Sequence, residues 1–472
     1  MNRITTVKKM NLTTTADPGS FRDPSGFIFR DENLVLKRCI HPVYQSVFRE
    51  NMENGLYEHL ISEGVLIPHR INSMTDGAGE PWIIEPEELP MISYPYEWCF
   101  DMYKDAALLT LQITKMALQY NMILKDASAY NVQFRNGRAV FIDTLSFTPY
   151  REGDAWAAYG QFCRHFFAPL YLCALRDLRL GNLMRHFMDG VPLDMARNLL
   201  PWHGGSRQGL IHILLHSRSI ADCECSQKTG GKKRIRKLSG KQLRSILEDL
   251  EEGITNLSFP GIKTPWAEYN KESIHYSGTA REAKFAAVEN LLMEAGAGVV
   301  WDMGANDGTY TRLALKTGSR FAVAFDGDLC AVNSNYLTCR RKHESLLPLV
   351  TDLSNPSSGN GFAHTERKSL TARCNAGCLM MLALIHHLAI SNNLPFDKIA
   401  AWCALLSEKL IIEFVPENDP KVQELLMNRQ DVFPDYTLEN FILSFEKYFR
   451  IRKCIPLPDC DRRIFLFERK GF

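Results

Sequence analysis

The sequence lacks the features that mark membrane-spanning, secreted and strongly nucleic-acid-binding proteins. Its 472 residues carry a formal net charge of +1, so overall charge favours neither nucleic acid nor a membrane surface as a partner. The longest apolar stretch, Cys378 to Ile390, is short and contains two histidines, so no membrane span is predicted. The segment from Met1 to Gly19 is polar and has no apolar core of a signal peptide. We therefore expect a cytoplasmic protein.

The sequence also contains no signature of a disulfide framework, a metal cluster or an internal repeat. The thirteen cysteines are an odd number scattered through a long chain, which indicates reduced thiols rather than a disulfide framework. No metal site is predicted, because Cys374 and Cys378 have no companion pair at ligand spacing. What is present is an ordinary globular composition, with 45% hydrophobic residues, and a length that predicts two or three domains.

A basic, glycine-bearing stretch separates two unlike halves of the chain. It runs from Cys225 to Arg244 and has few apolar residues, which is typical of a solvated linker. A docking patch for an anionic partner over residues 232–244 is the alternative. We expect an N-terminal unit over residues 1–222, a basic linker with a connecting helix over 223–275, and a C-terminal unit over 276–472.

Strands and helices alternate through the C-terminal unit. Apolar runs from Val299 to Trp301, Phe321 to Phe325 and Leu410 to Val415 predict buried strands, and "LLPLV" predicts another. The stretch "LMMLALIHHLAI" reads as an apolar helix. Two strand-like runs around a Pro/Asp turn end the chain as a hairpin. The pattern predicts an α/β fold, with a Rossmann-like, doubly wound, mostly parallel sheet and a terminal antiparallel hairpin.

Three aspartates stand at the carboxyl ends of predicted strands: Asp302, Asp326 and Asp352. Ligands of doubly wound sheets bind beyond these ends. Small residues that include Gly304 and Gly308 follow the first of these strands and let the backbone approach a ligand closely. The second acid is suited to hydrogen bonds with ribose hydroxyls. The turn has no Walker lysine, which excludes a P-loop.

The motif Asp302-x-Gly304-x-Asn306-x-Gly308, with the ordered acids and the hairpin, resembles motif I of class I S-adenosylmethionine-dependent methyltransferases. The resemblance covers the C-terminal unit. Position 306 departs from the glycine of many members, but asparagine tolerates unusual backbone angles. The resemblance implies S-adenosyl-L-methionine as cofactor, bound at its amino acid end by Asp302, Gly304, Asn306, Asp307 and Gly308, at its ribose by Asp326, and at its adenine by Asp352 and Leu353.

Methyl transfer from a sulfonium is an in-line displacement, so the protein's main task is to align the acceptor with the methyl group. A base assists when the acceptor is a hydroxyl or an amine. The catalytic candidates are His386 and His387, after the fourth strand, and Glu413 in the fifth. Adjacent histidines on a helix face different ways, so we expect at least one to be structural. Glu413 is equally consistent with a lining or supporting role.

The N-terminal unit contains a second pattern. A long apolar helix leads to Asp126 and Asn131, a hairpin that turns at Asn136-Gly137, and Asp143. This resembles the catalytic loop and metal-binding segment of protein kinases and small-molecule kinases, and implies a kinase-like α+β domain. Carried over, Asp126 orients an acceptor hydroxyl, while Asn131 and Asp143 hold Mg²⁺ beside ATP.

Other positions of that pattern depart from the kinases. The residues before Asp126 and after Asp143 differ from the usual motifs, and no glycine-rich loop is evident. Lys37 is the candidate phosphate-pairing lysine, with Glu53 or Glu58 as its helical partner. Two interpretations of the N-terminal unit therefore remain: a pseudokinase and an active kinase.

Three functions follow from these patterns. The favoured one is methyl transfer to an unidentified small molecule, glycan or protein, with the N-terminal unit selecting the substrate. The alternatives are a bifunctional kinase–methyltransferase and a non-catalytic, pseudokinase-like interaction protein. The arrangement of the two units also resembles nodulation-type bacterial methyltransferases. Nucleic acid is disfavoured as acceptor by the neutral charge, although the basic residues 232–244 keep it open. The sequence does not indicate an oligomeric state.

Overall fold

The computed structural model describes residues 15–74, 80–201, 210–213, 238–261, 278–427 and 434–471. Both predicted domain boundaries, after residues 222 and 275, and the greater part of the basic stretch lie outside these ranges. Within them, no helix is both long and apolar enough to cross a bilayer. The eleven cysteines of the described part are free thiols.

The N-terminal unit begins with a five-stranded antiparallel sheet in the order β1-β2-β3-β5-β4. A long helix, α3, and two small strand pairs, β6–β9 and β7–β8, follow it. The elements are β1 Thr15–Ala16, β2 Gly26–Arg30, β3 Leu36–Ile40, α1 Pro42–Glu53, α2 Leu56–Ser62, β4 His69–Ser73, β5 Trp82–Pro86, α3 Phe100–Leu118, β6 Met122–Leu124, β7 Val132–Arg135, β8 Arg138–Phe141 and β9 Phe147–Pro149.

Short helices complete this unit, and one of them comes from the predicted linker region. The helix α8 begins with a capping box formed by Ser239 and Gln242, and its apolar face is buried. Lys115 of α3 contacts Glu251 of α8 at 2.6 Å. Residues 240–255 form a helix inside the range in which a connecting helix is expected, and this helix packs against the N-terminal unit. These helices are α4 Tyr159–Phe162, α5 Ala168–Leu175, α6 Leu183–His186, α7 Leu193–Leu199 and α8 Gly240–Thr255.

The C-terminal unit is a seven-stranded sheet in the order β12-β11-β10-β13-β14-β16-β15. The first five strands of this order are parallel, and the last two form the predicted antiparallel hairpin. Strands and helices alternate along this unit, which makes it a mixed α/β fold built on a mostly parallel, Rossmann-like sheet. Its elements are α9 Gly278–Ala295, β10 Val299–Met303, α10 Thr309–Lys316, β11 Phe321–Asp326, α11 Leu329–Lys342, β12 Leu346–Val350, β13 Cys378–Met381, α12 Phe396–Leu406, β14 Lys409–Phe414, α13 Pro420–Leu426, α14 Leu438–Glu446, β15 Phe449–Pro456 and β16 Arg463–Arg469.

The prediction of a helix over "LMMLALIHHLAI" was wrong for its first residues. Cys378–Met381 forms β13, which lies between β10 and β14 and is buried throughout. A strand buried on both faces is a continuous apolar run, which periodicity does not distinguish from a buried helix. The histidines come after this strand, and His387–Ser391 is a short π-helix.

The two units share one hydrophobic core. A single cluster of buried apolar side chains contains Trp98 and Phe134 from the N-terminal unit together with Trp301 and Phe325 from the C-terminal sheet. Phe134 packs edge-on against Tyr336 of α11, with ring centroids 5.7 Å apart. The α+β character of the N-terminal unit agrees with its prediction, and its likeness to kinases stays a prediction.

The hairpin turn at Gly137 provides a test of this joint packing. Gly137 and Gly64 have nearly the same left-handed φ, +72° and +70°, but a Cβ on Gly137 would lie 2.8 Å from the backbone of Arg340 in α11, whereas nothing lies within 4 Å at Gly64. We expect Gly64→Ala to lower the free energy of unfolding by about 1–2 kcal/mol through φ alone, and Gly137→Ala to lower it further. Equal losses in urea denaturation would contradict close packing of the hairpin on α11.

Candidate functional site

The turn between β10 and α10 closes over the carboxyl end of β11. The amides of Gly304 and Ala305 donate hydrogen bonds of 2.8 and 2.9 Å to the last carbonyl but one of that strand. The Asn306 amide donates to Asp326 Oδ2 at 2.8 Å. Gly304, Asn306 and Gly308 all have positive φ, at 77°, 49° and 77°. These residue types are therefore the ones that this turn requires.

Two glycines of the turn face side chains closely. A Cβ on Gly304 would lie 3.2 Å from the Leu384 side chain, which belongs to the loop after β13. A Cβ on Gly308 would lie 2.6 Å from the Asn335 side chain of α11. This turn, here called the cradle, therefore needs glycine at both positions for close packing against the protein itself as well as for their positive φ.

Asp302 is the last residue but one of β10 and is almost fully buried. Its Oδ2 accepts a hydrogen bond of 2.6 Å from Thr311 Oγ1 of α10. Burial, with a smaller contribution from nearby Asp326, raises the pKa of the Asp302 carboxyl to about 7. A carboxyl of this kind ionises readily when a cationic group comes to lie beside it.

Asp326 is held in a fixed orientation at the end of β11. Its two oxygens accept the amides of Asn306 and Asp328, both at 2.8 Å. Burial raises the pKa of its carboxyl. Because each carboxylate oxygen can accept more than one hydrogen bond, the side chain retains acceptor capacity for ligand hydroxyls.

The other predicted cofactor residues lie at the same edge with different local roles. Asp307 Oδ1 accepts from the amide of Thr309 at 3.0 Å at the start of α10. Asp352 is exposed after β12 and accepts from the Ser354 amide at 2.9 Å. Leu353 is half-buried. Position 307 therefore contributes to helix capping, while 352 and 353 border the edge.

Four buried polar atoms at this edge have no hydrogen-bond partner among the described residues: Asp328 Oδ2, Asn335 Oδ1, Thr351 Oγ1 and His386 Nδ1. They follow β11, lie on α11, follow β12 and follow β13, so they surround the cradle from three sides. Buried polar groups are normally paired. Their concentration here fits an edge that takes a polar ligand.

The structure distinguishes the two candidate histidines. His386 is 1% exposed, and burial together with the nearby charges of His387, Arg462 and Lys284 lowers the pKa of its imidazole well below the usual value. It is therefore neutral at physiological pH. His387 is half-buried at the start of the π-helix, with its ring centroid 4.2 Å from that of His386.

Glu413 is surrounded by donors. Its Oε2 accepts from Lys284 Nζ of α9 at 2.7 Å and from the amide of Ala383 at 2.9 Å, and its Oε1 lies 3.4 Å from Arg462. Arg462 in turn forms hydrogen bonds of 2.7 and 3.0 Å with Asp419. All four charged side chains are buried. No local pattern in the sequence indicates this network, because its members come from distant elements.

The three polar residues predicted in the N-terminal unit do come together. Asp126 accepts from Gln161 Nε2 at 2.8 Å, and burial and nearby Asp143 raise the pKa of its carboxyl. Asn131 donates to Ser146 at 3.3 Å, and Ser146 donates to Asp143. Asp126, Asn131 and Asp143 thus form one polar cluster at the end of β6 and β8.

Lys37 does not belong to that cluster. Its ammonium lies 2.5 Å from Glu85 of β5, while Glu53 and Glu58 are exposed, so the predicted ion pairs with α1 or α2 are wrong. Successive side chains of a strand point to opposite faces. The cation that reaches Asp143 is accordingly the next residue of β3, Arg38.

Mg²⁺ and ATP fit this arrangement poorly. The Arg38 guanidinium contacts Asp143 Oδ1, so a cation of the protein already compensates the carboxylate that would have to bind Mg²⁺. The described ranges contain no group of three His, Cys, Asp or Glu side chains arranged for a metal ion.

Fold and site together define a Rossmann-like α/β protein with a ligand-binding edge. No protein-family model matches the chain. The nodulation protein NoeA of Rhizobium meliloti (strain 1021) is 32% identical over 459 residues, which cover 96% of this chain and 95% of that protein. The chain therefore belongs to the NoeA family of nodulation proteins.

Solved structures that resemble part of the chain include the N-methyltransferase NodS from Bradyrhizobium japonicum WM9, with a TM-score of 0.32 and 9% identity over 41% of this chain and 99% of that one. The magnesium protoporphyrin IX methyltransferase ChlM from Synechocystis PCC 6803, with bound S-adenosylhomocysteine, has a TM-score of 0.29 and 14% identity over 40% of this chain and 84% of its own. TM-scores of this size support no inference about activity.

The carboxyl of Asp302 generates a prediction about stability and pH. Between about pH 4 and about pH 7 the folded protein keeps a proton that the unfolded chain has lost, so this group makes the free energy of unfolding fall as pH rises, by at most ~1.4 kcal/mol per unit. We expect Asp302→Asn to lack this component. Urea denaturation of both proteins across this range measures it, with exposed Asp352→Asn as control. A pH-independent difference between wild type and Asp302→Asn would refute it.

Proposed function

We propose that this protein is a class I methyltransferase that uses S-adenosyl-L-methionine and modifies an acceptor beside His386. The observation that carries the proposal is the turn over β11, which places buried Asp302, fixed Asp326 and the unpaired polar atoms around one cradle. The cofactor supplies a methyl group activated on a sulfonium.

The residues of the edge suit the parts of this cofactor. Asp302 provides a carboxylate for the ammonium of the amino acid end, and the turn that carries Gly304 and Gly308 borders that end. Asp326 offers oriented oxygens to the ribose hydroxyls. Asp352 and Leu353 border the adenine. The protein's contribution is chiefly to fix the position of the methyl group relative to the acceptor.

We assign proton removal from the acceptor to His386. Its imidazole is neutral, its Nδ1 has no partner among the described residues, and it lies two residues after Leu384, whose side chain packs against Gly304. A neutral imidazole accepts the proton that a hydroxyl loses as it is methylated, or the proton of the ammonium that forms when a neutral amine is methylated. His387 is assigned a supporting position at the start of the π-helix.

Glu413 is assigned a positioning role and not the role of general base. Its oxygens are engaged by Lys284, Arg462 and the Ala383 amide, which stabilises the carboxylate and leaves it poorly placed to take a proton. The bond to Ala383 fixes the loop that carries His386.

The N-terminal unit is proposed to select or present the acceptor, which is a small molecule, a glycan or a protein. No observation favours phosphotransfer, because Lys37 faces away from the Asp126 cluster and Arg38 engages Asp143. The cluster still offers Asp126 and Lys125 as polar groups at a partly exposed surface.

Binding of S-adenosylhomocysteine tests the cofactor assignment. We expect calorimetry to show binding by the wild-type protein, and Asp302→Ala to weaken it at least ~10-fold, because one charge-assisted hydrogen bond contributes about 1.5–3 kcal/mol. Asp397→Ala, in an exposed ion pair on α12, is the control and should leave affinity unchanged. Absence of binding by the wild-type protein would refute the proposal.

Transfer of a labelled methyl group tests the assignment of His386. The acceptor is the lysate fraction that retains label, which also identifies its chemical class. We expect His386→Gln to bind S-adenosylhomocysteine normally and to lose about 10²–10⁴-fold in rate, while His387→Gln stays near wild type. Equal rates for wild type and His386→Gln would exclude this residue as the base.

A further inference from the structure

The segment between β12 and β13, residues 351–377, is here called the crossover segment. It connects two parallel strands and is described in full, yet it contains two 3-10 turns, Phe362–His364 and Thr371–Arg373, and no α-helix. Connections of this type usually carry a helix that covers the sheet. The crossover segment therefore depends on something outside the C-terminal sheet for its shape.

The N-terminal unit supplies that support through a buried ion pair. The side chains of Glu97 and Arg373 are 1% and 4% exposed and pair through both guanidinium amino groups, one of the bonds measuring 3.0 Å. The Arg373 guanidinium also lies 4.4 Å from the ring centroid of Tyr94 and donates to the Ile92 carbonyl at 2.6 Å. Ser357 donates to Glu97 Oε1 at 2.7 Å.

Further contacts repeat this pattern along the crossover segment. Each joins one of its residues to the N-terminal unit. They are Arg185 to the Pro356 carbonyl and Ser358, Arg22 to Glu366, the Lys368 amide to Tyr94, the Lys368 ammonium to Asp17, and Asn375 to the Pro90 carbonyl.

The start of the crossover segment belongs to the candidate cofactor site. Thr351 donates its amide to the Asp326 carbonyl at 2.8 Å and has an unpaired, buried hydroxyl. Asp352 and Leu353 come next, and Ser357, which contacts Glu97, follows within the same stretch. The Leu370 amide closes it by donating to the Ser357 carbonyl at 2.8 Å.

We propose that the N-terminal unit completes the adenine side of the cofactor site, with Glu97 and Arg373 as positioning residues for residues 351–357. This rests on the proposed function for the identity of the ligand. A buried ion pair contributes little net stability but leaves a costly unpaired charge when one partner is removed. The pair therefore fixes the position of the crossover segment. Because Asp352 and Leu353 belong to this segment, the pair also fixes the residues that border the adenine.

The test compares two ion pairs that both join the units. Glu97→Gln/Arg373→Met removes the pair on the crossover segment, and Asp105→Asn/Arg340→Met removes one between α3 and α11, which does not touch that segment. We expect the first to weaken S-adenosylhomocysteine binding by about tenfold and the second to leave it unchanged. The milder variant Ser357→Ala keeps the ion pair and should weaken binding by a smaller factor.

Amide hydrogen exchange provides a readout that does not require the ligand. The first double variant should speed exchange at Thr351 and Leu370 while the amides of β10 stay protected. Unchanged affinity and unchanged exchange in a folded variant would overturn the inference. If the wild-type protein fails to bind S-adenosylhomocysteine, the proposed function fails, and unchanged exchange would then separately remove the positioning role.

Discussion

A buried carboxylate shared by three donors holds the candidate site together. Glu413 joins Lys284 of α9, Arg462 of the terminal hairpin and the amide of Ala383. Ala383 has a φ of 50°, a conformation that costs a non-glycine residue free energy and persists only where surrounding contacts impose it. The position of His386, three residues later, therefore depends on charges contributed by distant parts of the C-terminal unit.

The polar edge of the C-terminal sheet could be predicted from sequence, because its signals are local and parallel strands bring them together. Asp302, Asp326 and Asp352 each follow a recognisable apolar strand, and parallel strands bring their carboxyl ends to one edge. The glycines and asparagines of the turn and of the Asn136-Gly137 hairpin indicate positive φ angles, which few other residues adopt. The terminal hairpin of β15 and β16 could likewise be predicted, because two strand-like runs flank a turn rich in proline and aspartate.

Other features depend on information that no local pattern carries. Whether Lys37 or Arg38 faces Asp143 is a matter of strand parity, which is set by how β3 pairs with β5. The donors of Glu413 are far from it in sequence, so its supporting role is visible only in three dimensions. The helix Gly240–Thr255 follows a basic stretch whose composition resembles a linker, yet its apolar face packs on α3.

The pair between Glu97 and Arg373 also constrains the order in which the molecule can mature. The two residues are 276 positions apart, so on the ribosome the glutamate emerges long before its arginine exists. Until β12 and the following segment have been made, an acid destined for the interior has no counter-ion, and the surface around it stays hydrated. Contacts of such long sequence separation form late. The N-terminal half of the chain can therefore complete its packing only after the C-terminal half has been made. A chimera that exchanges one half between relatives would have to keep a compatible pair of residues at positions 97 and 373.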